Sequence, residues 1–348
     1  IEPARELVSA ALSAGKPVVT ANKELLANHG AELYEAAEAA GVDLLFEAAV
    51  AGAIPIMRPL RESLAGEPIT RVMGIVNGTT NFILSRMTDD GVSYADALAE
   101  AQGLGYAERD PTADVEGFDA GAKAAVIATV AFGARVVAGD VYHEGISGIT
   151  VADIEFAADL QHCIKLLAVV EQTRASDGGL QIGVRVHPTL VPLDHPLASV
   201  RGSFNAVFVE GGASGDLMFY GRGAGGRPTA SAVLGDLIDA AGNLRRGHGA
   251  PIGALERARI APIDDVTSAF YLNVEVDDRP GVLAQVATVF GENGVSIRSM
   301  EQEGLGGEAR LVFITHAAKE RDLRSTLQGL RSLDAVRAVG SVLRVIGD

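Results

Sequence analysis

Residues 105–123 read Gly-Tyr-Ala-Glu-Arg-Asp-Pro-Thr-Ala-Asp-Val-Glu-Gly-Phe-Asp-Ala-Gly-Ala-Lys, a carboxylate-dense, turn-rich loop that runs straight into a helix. Asp119 and Lys123 stand four apart, so on a helix both project from one face. An ammonium beside a carboxylate at the mouth of an apolar helix can deliver a proton. Asp110-Pro111 breaks regular structure, Asp114 and Glu116 place anions near the helix start, and residues 122–130 continue as a buried helix. Taken alone, the pair also fits a solvated (i, i+4) ion pair worth about 0.3–0.5 kcal/mol. The surrounding residues decide between the two.

The elements that must position these groups alternate. Helix 3–14 is stopped by Gly15, strand 17–21 follows, helix 24–40 is stopped by Gly41, and strand 42–50 comes next. Apolar strands separated by helices suit a parallel sheet covered on both faces, so residues 1–55 read as a partial Rossmann-like nucleotide-binding domain. Such a domain opens with a strand, a Gly-x-Gly-x-x-Gly turn and an acidic residue about 20 positions on. None of these precedes Ile1, and the expectation is a chain that starts inside this domain and binds its nucleotide weakly. One Gly-x-Gly-x-x-Gly does occur, at Gly221, Gly223 and Gly226, between a strand at 216–220 and a helix at 229–241. Arg227-Pro228 is expected to interrupt that passage, which argues against a phosphate fingerprint.

Residues 56–227 alternate helices with strands at 71–76, 180–186 and 205–209, an α+β pattern expected to form the catalytic domain, with 228–262 returning to the first domain. Residues 153–170 read as a helical run that buries Cys163, and 242–266 as loop and linker. The pattern then resets over 267–348: strand 268–277, helix 281–292, strands 295–303 and 309–316, helix 319–333, strand 336–346. That βαββαβ order is ferredoxin-like. The turn at 277–281 and the helix end Asn293-Gly294 are expected to neighbour one another at one end of its sheet.

A chain of 348 residues, 48% hydrophobic, has room for two or three cored domains. Its net charge of −16 argues against a nucleic-acid surface, which needs clustered basic groups. A single cysteine can form neither an intrachain disulfide nor a paired-cysteine metal site, and suits a reducing compartment. No apolar run approaches the ~20 residues that span a bilayer, and the N-terminus lacks a signal pattern. A soluble, cytoplasmic protein without membrane partners is expected. His29, His143, His162, His187, His195, His248 and His316 show no zinc-like pairing.

Four stretches, in this order, resemble homoserine dehydrogenases: Val18-Val-Thr-Ala-Asn-Lys23, Phe46-Glu-Ala-Ala-Val-Ala-Gly-Ala-Ile-Pro55, Gly74-Ile-Val-Asn-Gly-Thr-Thr-Asn-Phe-Ile83, and Gly105-Tyr-Ala-Glu108 continuing to Lys123. The likeness extends through Gly221–Gly226 into 267–348, where Asp277-Asp-Arg-Pro-Gly281 and Asn293-Gly294 resemble an ACT domain. It covers nearly the whole chain.

The resemblance implies NAD- or NADP-dependent interconversion of L-aspartate 4-semialdehyde and L-homoserine, in threonine, methionine and isoleucine biosynthesis. Lys123 would donate the proton, while Asp119 orients it and binds substrate. Glu108 suits the substrate α-ammonium, with Asp114 a weaker partner, and the turn Asn77-Gly78-Thr79-Thr80 can hold a carboxylate on its N–H groups. Thr79 would be the substrate contact of that turn, although Thr79 or Thr80 could serve only as a helix cap. Lys23 would meet cofactor and substrate, and Gly105, Gly221 and Gly223 would border the cofactor. The Glu47 carboxylate with the carbonyls of Val50, Gly52 and Ile54 resembles a monovalent-cation site for sodium.

The ACT likeness implies an amino-acid effector, L-threonine, at Asp278, Gly281, Val282 and Asn293, and a homo-oligomer, dimer or tetramer, assembled through residues 56–227. Arg109 departs from the proline of many relatives. Two rivals remain: a reductase of another amino-acid semialdehyde, and a non-catalytic sensor working through the ACT segment alone.

Overall fold

A computed structural model describes residues 1–346 apart from 176, 250, 251, 253, 254, 258 and 305. The chain opens with α1 (Ala4–Ser13), β1 (Val18–Val19), α2 (Lys23–Ala40) and β2 (Leu44–Leu45). β1 and β2 pair in parallel, Val18 opposite Leu44 and Val19 opposite Leu45, with α2 as the crossover between them. α2 begins where Asn22 Oδ1 accepts the Leu25 N–H at 3.0 Å and ends at Gly41, whose φ of 65° favours glycine. The expected strand 42–50 is shorter, because the chain leaves β2 into a 3₁₀ turn at Glu47–Ala49.

β3 (Ile69–Ile75) leads into α3 (Gly78–Asp90), followed by α4 (Tyr94–Gly103), α5 (Thr112–Val115) and α6 (Phe118–Phe132). Gly117 (φ 84°) and Gly133 (φ 60°) bracket α6. Its buried residues are mostly small, including Ala120, Ala124, Ala125 and Ala128, so neighbours come close: a Cβ on Gly121 would lie 2.0 Å from His143 Nε2. The short strands β4 (Ala134–Arg135) and β5 (Tyr142–His143) follow.

α7 (Val151–Asp159) then gives way to β6 (His162–Arg174), which corrects the helical reading of 153–170. Gln161 at φ 58° breaks the helix, and Cys163 is buried in a strand. Residues 163–170 are all buried, and periodicity alone cannot tell a strand covered on both faces from a buried helix. β7 (Leu180–Pro192), β8 (Phe204–Gly211), β9 (Gly215–Arg222) and α8 (Gly226–Arg246) come next. α8 takes Arg227-Pro228 into its first turn, where a missing N–H leaves no bond unmade, so the expected interruption is absent.

α8 reaches into the expected linker, which also holds β10 (Glu256–Arg257) and a 3₁₀ turn at Ile263–Asp265. The remaining elements are β11 (Thr267–Asp277), α9 (Val282–Glu292), β12 (Ile297–Gly304), β13 (Glu308–Thr315), β14 (Ala318–Lys319), α10 (Glu320–Arg331) and β15 (Val336–Val345).

The chain packs as two units: Ile1–Ser147 with Leu166–Val186 and Ser199–Ala261, and Gly148–Lys165 with His187–Ala198 and everything from Pro262 on. Residues 148–165 and 187–198 lie with the C-terminal segment. In the first unit the strand order is β7-β6-β3-β8-β9, with Val72 of β3 opposite Val170 of β6 and Val209 of β8. In the second, β12-β13-β11-β15 has the ferredoxin-like order, over a core that includes Phe270, Leu272, Val286, Phe290, Phe313 and Leu330. Among the described residues no helix is long and apolar enough to cross a membrane.

Candidate active site

Lys123 Nζ donates to Asp119 Oδ2 at 2.6 Å, one helical turn away on α6, and to the Val76 carbonyl oxygen at 2.7 Å. The two side chains are 14% and 13% exposed, so this is not the solvated surface pair that four-residue spacing alone also allows. Asp119 Oδ1 faces a second ammonium, Lys23 Nζ, at 3.2 Å. Lys23 opens α2 at the carboxyl end of β1, the end of an open α/β sheet where ligands bind. One carboxylate thus holds two lysines brought from different parts of the chain.

A residue without an assigned role in the sequence reading completes this arrangement. Asn77 Nδ2 donates to Asp119 Oδ2 at 2.9 Å and to Asp114 Oδ1 at 2.7 Å. Its Oδ1 accepts the Thr80 N–H at 2.9 Å, which makes Asn77 the cap of α3 and corrects the assignment of that role to Thr79 or Thr80. An asparagine between a strand and Gly-Thr-Thr is a helix-start signal, so the cap was readable from the sequence; the carboxylate partners were not. Thr79 Oγ1 donates instead to the Tyr106 carbonyl at 2.7 Å, fastening the start of α3 to the 105–111 loop.

Burial pushes the Asp119 carboxyl upward, but the Lys123 ammonium, with Lys23 and the Asn77 amide, outweighs it and leaves Asp119 below its ordinary range. Asp114 moves the other way. Burial raises it and the neighbouring Asp119 charge adds to the effect, against the Asn77 hydrogen bond and the two lysines. Two carboxyls bridged by one amide are therefore driven apart, Asp119 toward the ionised form and Asp114 toward the neutral one.

Glu108 makes no side-chain hydrogen bond or ion pair to this cluster among those found for the described residues. It is exposed, and what the structure fixes there is its carbonyl, which accepts from Gln102 Nε2 at 3.1 Å. Gly105 has φ 76° and open space where a Cβ would stand.

Gly221, near the end of β9, and Gly223, on the loop just past it, pack against 50–54. A Cβ on Gly52 would stand 2.3 Å from the Gly223 carbonyl oxygen, and Ala53 N donates to the Arg222 carbonyl at 3.1 Å. Asn205 fills the space beside Gly223, and a Cβ on Gly78 would come within 3.5 Å of its Oδ1, so this loop lies near the start of α3.

The Glu47 carboxylate is already engaged. Oε1 accepts the Ile56 and Met57 N–H groups at 2.5 and 2.8 Å, and Oε2 accepts that of Arg58 at 3.0 Å. It caps the turn that enters the π-helical segment Pro59–Ser63, which corrects the expectation that it faces a cation. The carbonyl oxygens of Glu47, Val50, Gly52 and Ile54 accept none of the loop backbone hydrogen bonds found among the described residues. Oxygens from these four residues fit a hard monovalent ion only as carbonyls.

In the second unit, the turn 277–281 lines a cavity of about 360 Å³ with Val282, Leu283, Gln302 and Leu311. Asp278, Gly281 and Val282 belong to it. Asn293 does not: it ends α9, eleven residues long and so about 16 Å at ~1.5 Å per residue, and its Nδ2 donates to the Val289 carbonyl. The expected proximity of the turn and the Asn293-Gly294 helix end is therefore corrected, since α9 separates them by its full length.

Comparison with known proteins agrees with this layout. The family model described as homoserine dehydrogenase matches residues 55–238. That for the homoserine dehydrogenase NAD-binding domain matches 1–47, and an ACT-domain model matches 270–335. The chain is 57% identical over 349 residues to a homoserine dehydrogenase of Corynebacterium glutamicum, covering 100% of this chain and 78% of that protein. A crystal structure of a homoserine dehydrogenase from Thiobacillus denitrificans superposes with a TM-score of 0.93 at 42% identity, covering 99% of this chain and 80% of that one. A hyperthermophilic archaeal homoserine dehydrogenase mutant, solved in complex with NADPH, is 34% identical with a TM-score of 0.59, over 69% of this chain and 68% of that one.

Proposed function

The chain belongs to the homoserine dehydrogenase family, and from that premise we propose that it interconverts L-aspartate 4-semialdehyde and L-homoserine, with Lys123 moving the proton at the substrate oxygen. When bound, NAD or NADP supplies or accepts the hydride. The observation that carries this reading is the enclosed Lys123 ammonium, which spends one N–H on Asp119 and one on the Val76 carbonyl. An ammonium has three donors, so one is left for the substrate.

Asp119 orients that ammonium and, with Lys23 opposite, presents a polar wall to the substrate. Asp114 and Thr79 would join it in holding the substrate, and Glu108 on its exposed loop would supply a carboxylate for the α-ammonium. Lys23, Gly105, Gly221 and Gly223 would hold the cofactor. The NADPH bound by the archaeal relative favours a dinucleotide here without deciding between NAD and NADP.

A monovalent cation, sodium, would sit on the carbonyls of Glu47, Val50, Gly52 and Ile54 and brace the loop on which Gly221 and Gly223 pack. L-threonine, an end product beyond homoserine, is the proposed effector at the ACT cavity: its carboxylate suits the N–H groups at the start of α9 and its ammonium suits Asp278. β9 ends the sheet order of its unit, and an open strand edge of this kind favours a dimer.

The test is turnover. Purified full-length protein given homoserine and oxidised cofactor should form reduced cofactor, read by absorbance, and not with the one-carbon-shorter alcohol serine. Absence of any homoserine-dependent signal with either cofactor would sink the reading.

A further inference from the structure

We propose that Asn77 is a positioning residue of the proton-transfer site, whose single side-chain amide holds Asp119 against Lys123 and keeps Asp114 in place beside it. The inference rests on the homoserine dehydrogenase reading above.

A carboxamide has two N–H donors and one acceptor oxygen, and here both donors and the oxygen are engaged. The donors go one to each carboxylate, Asp114 Oδ1 and Asp119 Oδ2. The oxygen accepts the Thr80 N–H at 2.9 Å, and the Thr80 hydroxyl, with one proton to give, lies 3.1 Å from both this oxygen and the Asn77 backbone carbonyl. The orientation is forced, since a flipped amide would aim its oxygen at two carboxylates and leave the Thr80 N–H unpaired inside a residue that is 4% exposed.

The residue before it supplies the rest. Val76 offers the carbonyl that anchors Lys123, so the two consecutive residues that join β3 to α3 fix both members of the Lys123/Asp119 couple. Asp119 Oδ2 accepts from Lys123 and Asn77 together, while Oδ1 faces Lys23. Without the amide, Oδ2 loses one of its two donors, and the Asp114 and Asp119 charges face each other with only the lysines to balance them. The opposite directions in which Asp114 and Asp119 are shifted agree with this placement.

The cap and the positioning role can be separated by substitution. Asn77→Asp and Asn77→Ser both keep an oxygen able to accept the Thr80 N–H, whereas Asn77→Ala loses cap and donors together. If Asn77 positions the couple, Asn77→Ser should fold like the parent yet lose at least ~10-fold in kcat, with KM changing less, whereas Asn77→Asp, which sets a third carboxylate against Asp114 and Asp119, should lose stability as well. The acid limb of their kcat/KM profile should move to higher pH, as Asp119, facing Asp114, Lys23 and Lys123, is held less firmly ionised.

Wild-type kcat in Asn77→Ser, with only Asn77→Ala impaired, would reduce the residue to a cap and overturn the proposal. So would a loss of kcat with an unmoved acid limb. Lys123→Ala, run alongside, reports on the underlying reading: if it stays active, that reading fails, whatever Asn77 does.

Should the Asn77 variants not fold, NMR of the Asn77 side-chain amide protons in the parent protein replaces them. Both resonances should shift as the Asp114/Asp119 pair titrates, and flat resonances through that range would overturn the proposal.

Discussion

Lys23 opens α2 and Asp119 lies in the first turn of α6, with β3, α3, α4 and α5 between them in sequence, yet their side chains meet at 3.2 Å, with Lys123 on the other oxygen of the same carboxylate at 2.6 Å. A single anion between two cations favours its own ionised form and fixes where both ammoniums point. The site is organised around Asp119 as much as around the lysine proposed to transfer the proton.

Lys123→Ala should lower kcat at least ~100-fold, the usual contribution of a positioned proton donor. The fold should survive, because Asp119 keeps Lys23 and Asn77 as partners. Steady-state kinetics together with circular dichroism check this, and near-parental turnover would remove Lys123 from the mechanism.

The two carboxyls should respond oppositely to neutralisation. Asp119 has its folded pKa below the unfolded value of ~3.9, so its ionisation favours the folded state above that value, and the contribution fades as pH falls through the folded pKa. Asp114 has its folded pKa raised, so its charge disfavours folding at neutral pH, and the penalty lifts as pH falls through that pKa and is gone below ~3.9. Asp119→Asn should therefore cost roughly 1.5–3 kcal/mol at neutral pH and Asp114→Asn should stabilise by about 1 kcal/mol. Melting-temperature shifts of the same sign in both variants would contradict the assignment.

Glu47→Gln should destabilise the protein by roughly 1.5–3 kcal/mol, because an amide cannot accept three backbone N–H groups as a carboxylate does. The loss should be equal in sodium and in tetramethylammonium buffers. A loss seen only in sodium would make the carboxylate an ion ligand after all.

Asp278→Ala should raise the threonine concentration for half-inhibition at least ~10-fold, as loss of a charge-assisted contact of ~1.5–3 kcal/mol requires. Asp278 lies in the unit that does not contain Lys123, so turnover without threonine should stay within about two-fold. An inhibition curve with an unchanged midpoint would place the effector elsewhere. Deleting 267–348 is the poorer experiment, since it strips β15 from β7, where Arg344 lies opposite Thr189.

The amino-acid sequence alone determined what depends on near neighbours. Four-residue spacing put Asp119 and Lys123 on one face of α6, alternating patterns gave β1-α2-β2 and the βαββαβ order of the C-terminal segment, and Gly41 marked the end of α2. It misread 153–170, where an apolar run suits strand or helix equally and only the covering of both faces decided for β6. It took the Glu47 carboxylate for an ion ligand, because nothing local says that the N–H groups of 56–58 would reach it first. The meeting of Lys23, Asn77, Asp114 and Lys123 at Asp119 was likewise settled only by tertiary structure. Contacts between residues far apart in sequence, such as Asn77 with Asp119, are set by how β3, α2 and α6 pack, and no spacing within one element encodes that distance.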